Sequence, residues 1–276
     1  SLETIVRPVL EDPPVVAVGG PVRPCNGAEI EHGRVVRYRM PRKLLACMQV
    51  LEYDRSFLAS RILLDSFNGN LIISGAFGLF KKDIAVAVGG YDANTLGEDM
   101  ELVVKLHVFC RNNQTPYSIR YEPNAICWSQ APASLGDIRK QRRRWHLGLF
   151  QCMTKHRSMF LRPRFGLVGS VSYLYYLLYE LFSPQIELFG LAAMILAGCM
   201  GLLNVSFMIQ FYLLYAVYGA ILTMTAFFQR IYTQNLRISV GDIIKACVMC
   251  LVENIFFRFF LDFVRATSFI GYKKRK

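Results

Sequence analysis

From residue 165 to 229 the chain has almost no charge: Glu180 and Glu187 are the acids, and no Lys or Arg occurs before Arg230. A soluble domain carries about a quarter charged residues, so this stretch cannot form the surface of one. Clustered cysteines are lacking too. The eight stand at 25, 47, 110, 127, 152, 199, 247 and 250, with only the last two close together. No His or second pair lies beside them, which argues against a zinc or redox site and fits free thiols in a reducing, cytosolic setting. The chain opens on Ser1 and has no basic segment followed by a short apolar run, so no secretory signal is expected. The first residues are expected to form a short helix in mid-domain, with natural polypeptide ahead of them. Nor does an Asp-x-Asp occur anywhere in residues 1 to 276.

The 276 residues could form one large domain or two smaller ones, and 53% apolar residues with a mean hydropathy of +0.30 are too hydrophobic for an ordinary soluble protein. Residues 1 to 164 hold most of the charge, so a soluble part precedes a membrane part. A net charge of +12 raises the question of nucleic acid. Beside apolar spans, however, Lys and Arg mark cytoplasmic flanks lying against anionic lipid, and no nucleic-acid partner is expected.

Along the soluble part, Pro14 to Val18 reads as a buried strand closed by Gly19-Gly20, and 43 to 67 as an amphipathic helix covering a sheet. Strand pieces are expected at Leu71 to Ser74 and Gly78 to Phe80, a helix at Met100 to Cys110, and strands at Ser118 to Tyr121 and Ala125 to Ser129. This alternation indicates an α/β layer structure. Leu135 to His156 is a basic helix with Trp145, Leu149 and Met153 on one side, suited to lie in a membrane interface. Pro163 and Gly166 end the soluble part.

Apolar runs at about 167–182, 186–203, 205–228 and 243–264 are expected as spans, near the roughly 17 to 25 residues that cross a bilayer. Pro184 is expected to separate the first two, and 201–204 to turn between the next two. The last carries Lys245, Glu253, Arg258 and Asp262, and could lie at the surface instead. An even number of crossings keeps the tail Lys273-Lys274-Arg275-Lys276 on the cytoplasmic side.

Gln141, Arg144 and Trp145 are spaced i, i+3 and i+4, so a helix puts an amide, a guanidinium and an indole on one face, with Arg142 and Arg143 pointing elsewhere and Gly148 leaving that face open beyond the Trp. A guanidinium can grip a diphosphate and an indole can take the C–H face of a sugar. A basic juxtamembrane helix with an anchoring Trp would look the same. Glu98 and Asp99 follow Gly97 at the start of a helix, where a carboxylate stays ionised and can accept a hydroxyl proton, or can simply cap the helix. Ser74-Gly75-Ala76 is a small-residue turn that would let a ligand come close.

Ser-Gly-Ala-Phe-Gly at 74 to 78, Gly-Gly-Tyr-Asp at 89 to 92, Gly-Glu-Asp at 97 to 99 and Gln-Arg-Arg-Arg-Trp at 141 to 145 together resemble the C-terminal half of a family 2 membrane-integrated glycosyltransferase. The group is that of the cellulose, hyaluronan, chitin and poly-N-acetylglucosamine synthases. The resemblance implies an α/β fold class, with a partial GT-A domain followed by a helical transmembrane domain. Residues 1–134 would be the second half of the GT-A domain, 135–164 an interface helix region, and 165–276 the transmembrane helices and basic tail. It implies Asp99 as general base with Glu98 beside it, Arg144 near the diphosphate, Trp145 under the acceptor sugar, Gln141 in the same motif, and Ser74, Gly75 and Ala76 by the acceptor. A divalent cation, Mg or Mn, is expected for the full-length enzyme, its ligands outside this chain.

The function so implied is an inverting, processive transfer from a nucleotide-diphosphate sugar to a growing glycan at the cytoplasmic face of a multi-pass cell-membrane protein, the bilayer and accessory membrane subunits being its partners. The fragment alone is expected to be inactive. Two other readings stay open: a transferase adding one sugar to a lipid carrier, and a polytopic scaffold without enzymatic activity.

Overall fold

The computed structural model describes residues 2–32, 34–270 and 272. In chain order its elements are α1 (Leu2–Glu11), β1 (Val15–Gly19), β2 (Val22–Pro24), β3 (Ala28–Glu31), β4 (Arg34–Tyr38), α2 (Leu44–Arg55), α3 (Arg61–Asp65), β5 (Gly78–Phe80), α4 (Lys82–Ala87) and α5 (Glu98–Asn112). There follow β6 (Ser118–Tyr121), β7 (Cys127–Ser129), α6 (Leu135–Lys155), α7 (Ser183–Cys199), α8 (Val205–Thr233), α9 (Val240–Val252) and α10 (Arg258–Ala266). A π-helical stretch at Ser56–Ser60 joins α2 to α3, so the helix expected at 43–67 is one continuous rod.

β1 is the middle strand of its sheet, antiparallel to β5 and parallel to β6. Val15, Val16, Ala17 and Val18 are all buried, as a strand covered on both faces requires. Ile5 of α1 closes one face against Val15 and Val18, and Val103 and Leu106 of α5 close the other with Val16 and Ala17. β2 pairs in parallel with β7, and β3 with β4 forms an antiparallel hairpin.

The strand expected at Leu71–Ser74 does not form. Leu71 and Ile73 are buried, but neighbouring carbonyls are taken by side chains instead of a ladder. His107 meets the Asn70 carbonyl at 3.0 Å, and Arg61 donates to that of Ile72. The strand expected at Ala125–Ser129 shortens to β7.

Two helical stretches among the described residues are long and apolar enough to cross a membrane, Val168–Cys199 and Val205–Thr233. Pro184 does not separate two helices: it sits in the first turn of α7, and the turns ahead of it, Tyr175–Phe182, are π-helical. The wider register accommodates a ring and a missing N–H that would break a regular helix. Gly201, at φ +71°, makes the turn toward α8. Most side chains of both stretches are unburied, including Phe189, Ile195, Phe207, Phe211 and Leu214. So large an apolar surface is unstable in water and needs lipid or protein around it.

The run at 243–264 is helical, but it is tied to the α/β part at both ends. The Met40 N–H donates to Asp242 at 3.2 Å, Lys245 donates to the Pro41 carbonyl at 2.7 Å, and Arg265 lies 3.8 Å from Glu52. The two stretches long and apolar enough to cross a membrane do not include this one, and its ends pack on the α/β part.

The far end of α8 returns to the same domain through buried charge. Asp54 meets Arg23 at 3.1 Å on one oxygen and Arg230 at 3.2 Å on the other, and Arg230 also donates to the Tyr38 hydroxyl at 3.2 Å. All four side chains are buried. Asp54→Ala leaves two guanidiniums facing each other without a counter-charge, and is expected to lower stability by about 3–5 kcal/mol. Denaturant unfolding of the detergent-solubilised protein measures this; a loss of only about 1 kcal/mol, as for an exposed pair, contradicts it.

Candidate functional site

The start of α5 and the middle of α6 face each other across a cavity of about 510 Å³. Ser74, Gly75, Ala76, Glu98, Asp99, Gln141, Arg144 and Trp145 all line it. Residues from three separate stretches of sequence are thus brought to one concave space.

Gly97 caps α5, so Asp99 is not the capping residue but stands in the first turn. Its Oδ1 accepts from the Met100 N–H at 2.8 Å, and its Oδ2 accepts from the Gly75 N–H at 3.0 Å. The carboxylate is therefore fixed to both the helix and the small-residue turn. A Cβ on Gly75 would meet Asp99 at 3.5 Å, an ordinary contact, so the protein alone leaves room there for more than glycine. Tyr91 lies nearby, its phenol pushed above the usual value by burial and by the charges of Asp99 and Glu98.

What brings α6 to this point is a contact between two glycines. A Cβ on Gly148 would stand 2.6 Å from the Gly97 nitrogen and 2.8 Å from its Cα, where backbone cannot yield. Gly148 therefore does not leave a face open, as its spacing suggests; it is filled by Gly97. Further along that side of α6, Gln151 accepts from the Leu96 N–H at 2.8 Å, and Lys155 reaches Asp92 at 2.7 Å and Glu101 at 2.6 Å. Burial pushes the Glu101 carboxyl up, but hydrogen bonds from Lys155, Lys105 and His156 outweigh it and hold the group below its usual value. The bond from Lys155, helped by the Asn94 N–H, lowers Asp92 to about 2.

The basic motif divides in an unexpected way. Arg144 is exposed and has no acidic partner among the described residues. Arg143 donates to the Ile270 carbonyl. Arg142 is buried, paired with Glu52 at 2.6 Å, and its Cζ lies 4.6 Å from the centre of the Trp145 ring. Of the stripe expected to lie in lipid, Trp145 and Leu149 line the cavity and Met153 is buried in a core with Leu64, Leu71 and Met100.

Several lining residues carry no motif: Glu52 and Tyr53 on α2, Arg61 on α3, and Tyr175, Tyr176 and Glu180 on the first apolar helix. Burial raises the Tyr53 phenol above its usual value, with Arg142 opposing, so it stays a neutral hydroxyl at the cavity wall. The polar and aromatic positions of these helices were the available signal, since a purely lipid-facing or solvent-facing surface needs neither. Among the described residues no three His, Cys, Asp or Glu side chains cluster as metal ligands.

The family described as "Glycosyl transferase family group 2" matches residues 26–233. A poly-beta-1,6-N-acetyl-D-glucosamine synthase of Staphylococcus epidermidis is 32% identical over 154 residues, 51% of this chain and 35% of that protein. A synthase of the same name from Staphylococcus aureus is 37% identical over 115 residues, 41% of this chain and 26% of that protein. The chain thus matches about a third or less of the length of these curated relatives. A solved structure, the mannosyltransferase PcManGT from Pyrobaculum calidifontis in complex with GDP-Man and Mn2+, aligns over 94% of this chain and 59% of its own with 17% identity and a TM-score of 0.49.

Two measurements test this geometry. Gly148→Ala is expected to lose about 1–3 kcal/mol by overpacking against Gly97. Gly136→Ala, on the same helix with no protein atom closer than 3.9 Å, is expected to be neutral or to gain up to about 1 kcal/mol. Equal melting points for the two contradict the close approach. For Asp92, the folded value near 2 lies below the unfolded value of about 3.9, so its pair with Lys155 stabilises above pH 4 and the benefit fades as pH falls toward 2. The melting-point difference between wild type and Asp92→Asn should be constant above pH 5 and shrink below about 4; a difference that grows on acidification refutes the pairing.

Proposed function

Because the chain belongs to glycosyl transferase family group 2, we propose that its cavity is where a sugar passes from a nucleotide-diphosphate donor to a growing glycan. Family membership brings a GT-A-like α/β fold. The observation that carries the proposal is that Asp99, Arg144 and Trp145 line one cavity although some forty residues separate the acid from the basic motif.

In this reading the acceptor sugar enters over the turn at Ser74, Gly75 and Ala76 and rests on the Trp145 ring. Gln141 hydrogen-bonds an acceptor hydroxyl. Asp99, with Glu98 beside it, accepts the proton of the attacking hydroxyl, whose oxygen forms a bond to the anomeric carbon. The Gly75 N–H keeps the receiving carboxylate oriented. The bond from that carbon to the diphosphate breaks on the opposite side, which inverts the anomeric centre. Arg144, without an acidic partner among the described residues, takes up the charge that develops on the departing diphosphate.

Two further features of the proposal rest on other observations. The stretches Val168–Cys199 and Val205–Thr233 form an out-and-back pair whose two outer ends meet the α/β part, which supports a membrane protein with its transfer site on one side of the bilayer, and the Lys and Arg excess of the flanking segments supports the cytoplasmic side. Tyr175, Tyr176 and Glu180 of the first stretch line the cavity, so an elongating product would have polar contacts toward the bilayer. The names of the relatives support N-acetylglucosamine as the sugar and a polymer as the product.

The test uses the native protein in membranes with UDP-N-acetylglucosamine. Asp99→Asn is expected to lower kcat by about 10²–10⁴-fold with little change in donor KM. Trp145→Ala is expected to raise the acceptor KM about tenfold. Normal turnover in both variants removes these roles, and a product one sugar long removes the polymerising part.

A further inference from the structure

Arg142 has no part in the transfer as proposed, yet it is buried against the residue that would carry the acceptor. Its Cζ stands 4.6 Å from the Trp145 ring centre, inside the ~6 Å at which a guanidinium and an indole face attract. Positions 142 and 145 are i and i+3 on α6, so the helix itself sets the two side by side. Arg142 is 3% exposed and Trp145 40%. The cation therefore fills the inner side of the ring and leaves the remainder to the cavity.

The guanidinium is itself held. Its Nη2 lies 2.6 Å from Glu52, which is also buried, and Arg265 approaches the other oxygen of that carboxylate at 3.8 Å. Tyr53, the next residue on α2, adds a ring 6.4 Å from the indole. A buried ion pair contributes little net stability relative to an apolar pair of the same volume, so stability alone does not account for this one. Arginine suits the place better than lysine, since its plane can lie on a ring while its edge grips a carboxylate.

We infer that Arg142, pinned by Glu52, is a positioning residue that holds the Trp145 indole against the cavity wall, ready for the acceptor ring. The inference rests on the acceptor role proposed for Trp145. An indole released from this support samples other rotamers and must be ordered again whenever an acceptor binds, so the cost falls on acceptor affinity and not on the donor.

The experiment uses the native protein in membranes, UDP-N-acetylglucosamine as donor and a β-1,6-linked N-acetylglucosamine oligosaccharide as acceptor. Glu52→Leu combined with Arg142→Met removes both charges together, a change that buried pairs tolerate. The expected result is an acceptor KM raised about tenfold with donor KM within about twofold of wild type. In a Trp128→Phe background, acrylamide quenching of Trp145 in the purified protein should rise. The swap of Glu52→Arg with Arg142→Glu restores an ion pair but puts a carboxylate under the ring, and the acceptor defect should persist. An unchanged acceptor KM in the double variant, a wild-type acceptor KM in the swap, or unchanged quenching even where activity is lost would each overturn the inference. Trp145→Ala separates the two readings: unchanged acceptor KM there removes the acceptor role itself, whereas a raised KM there beside an unaffected double variant removes only the positioning by Arg142.

Discussion

Two backbones touch at Gly97 and Gly148, and the rest of the site depends on that contact. A Cβ on Gly148 would overlap the Gly97 nitrogen at 2.6 Å, and one on Gly97 would press on the Gly148 backbone at 3.1 Å. The close approach lets Gln151 and Lys155, further along the same side of α6, reach the loop at 92–96 and the buried Glu101. Asp99, two residues beyond Gly97, is thereby set opposite Trp145, three residues before Gly148. An acid that would take a proton and a ring that would hold a sugar thus owe their spacing to a pair of residues that have no side chains.

A second constraint joins the apolar helices to this scaffold. Asp54 lies between Arg23 of β2 and Arg230 near the end of α8, all three buried. Removing Asp54 strands two positive charges in a low-dielectric interior, so the helix end is held in register with α2 more strictly than apolar contact alone would require. α2 carries Glu52 and Tyr53 into the cavity wall on its neighbouring residues, and the first apolar helix contributes Tyr175, Tyr176 and Glu180. The cavity is a joint product of the α/β part and the apolar helices, and its shape depends on both.

Much of this was legible from spacing. The i, i+3, i+4 pattern of Gln141, Arg144 and Trp145 puts them on one side of α6, and helical periodicity marks α2 and α5 within a few residues. What escaped was decided by tertiary contacts. Leu71–Ser74 has a strand-like composition, but its neighbouring carbonyls are claimed by His107 and Arg61. Pro184 looks like a break until π-helical turns absorb it. Arg142 reads as one more base in a basic run; only Glu52, ninety positions earlier, shows why it is buried. Gly148 reads as an empty place on a helix, whereas its partner comes from another motif. A buried charge or a glycine has its meaning in a partner distant along the chain, and local pattern cannot supply that partner.

The most direct measurement is an electron cryo-microscopy structure of the native protein with an N-acetylglucosamine oligosaccharide and a non-transferable donor analogue. The terminal sugar is expected to stack on Trp145 with a hydroxyl within hydrogen-bond distance of Asp99, and the diphosphate to lie by Arg144. Density for the oligosaccharide outside this cavity, or a bound sugar with Asp99 turned away from every hydroxyl, would contradict the site.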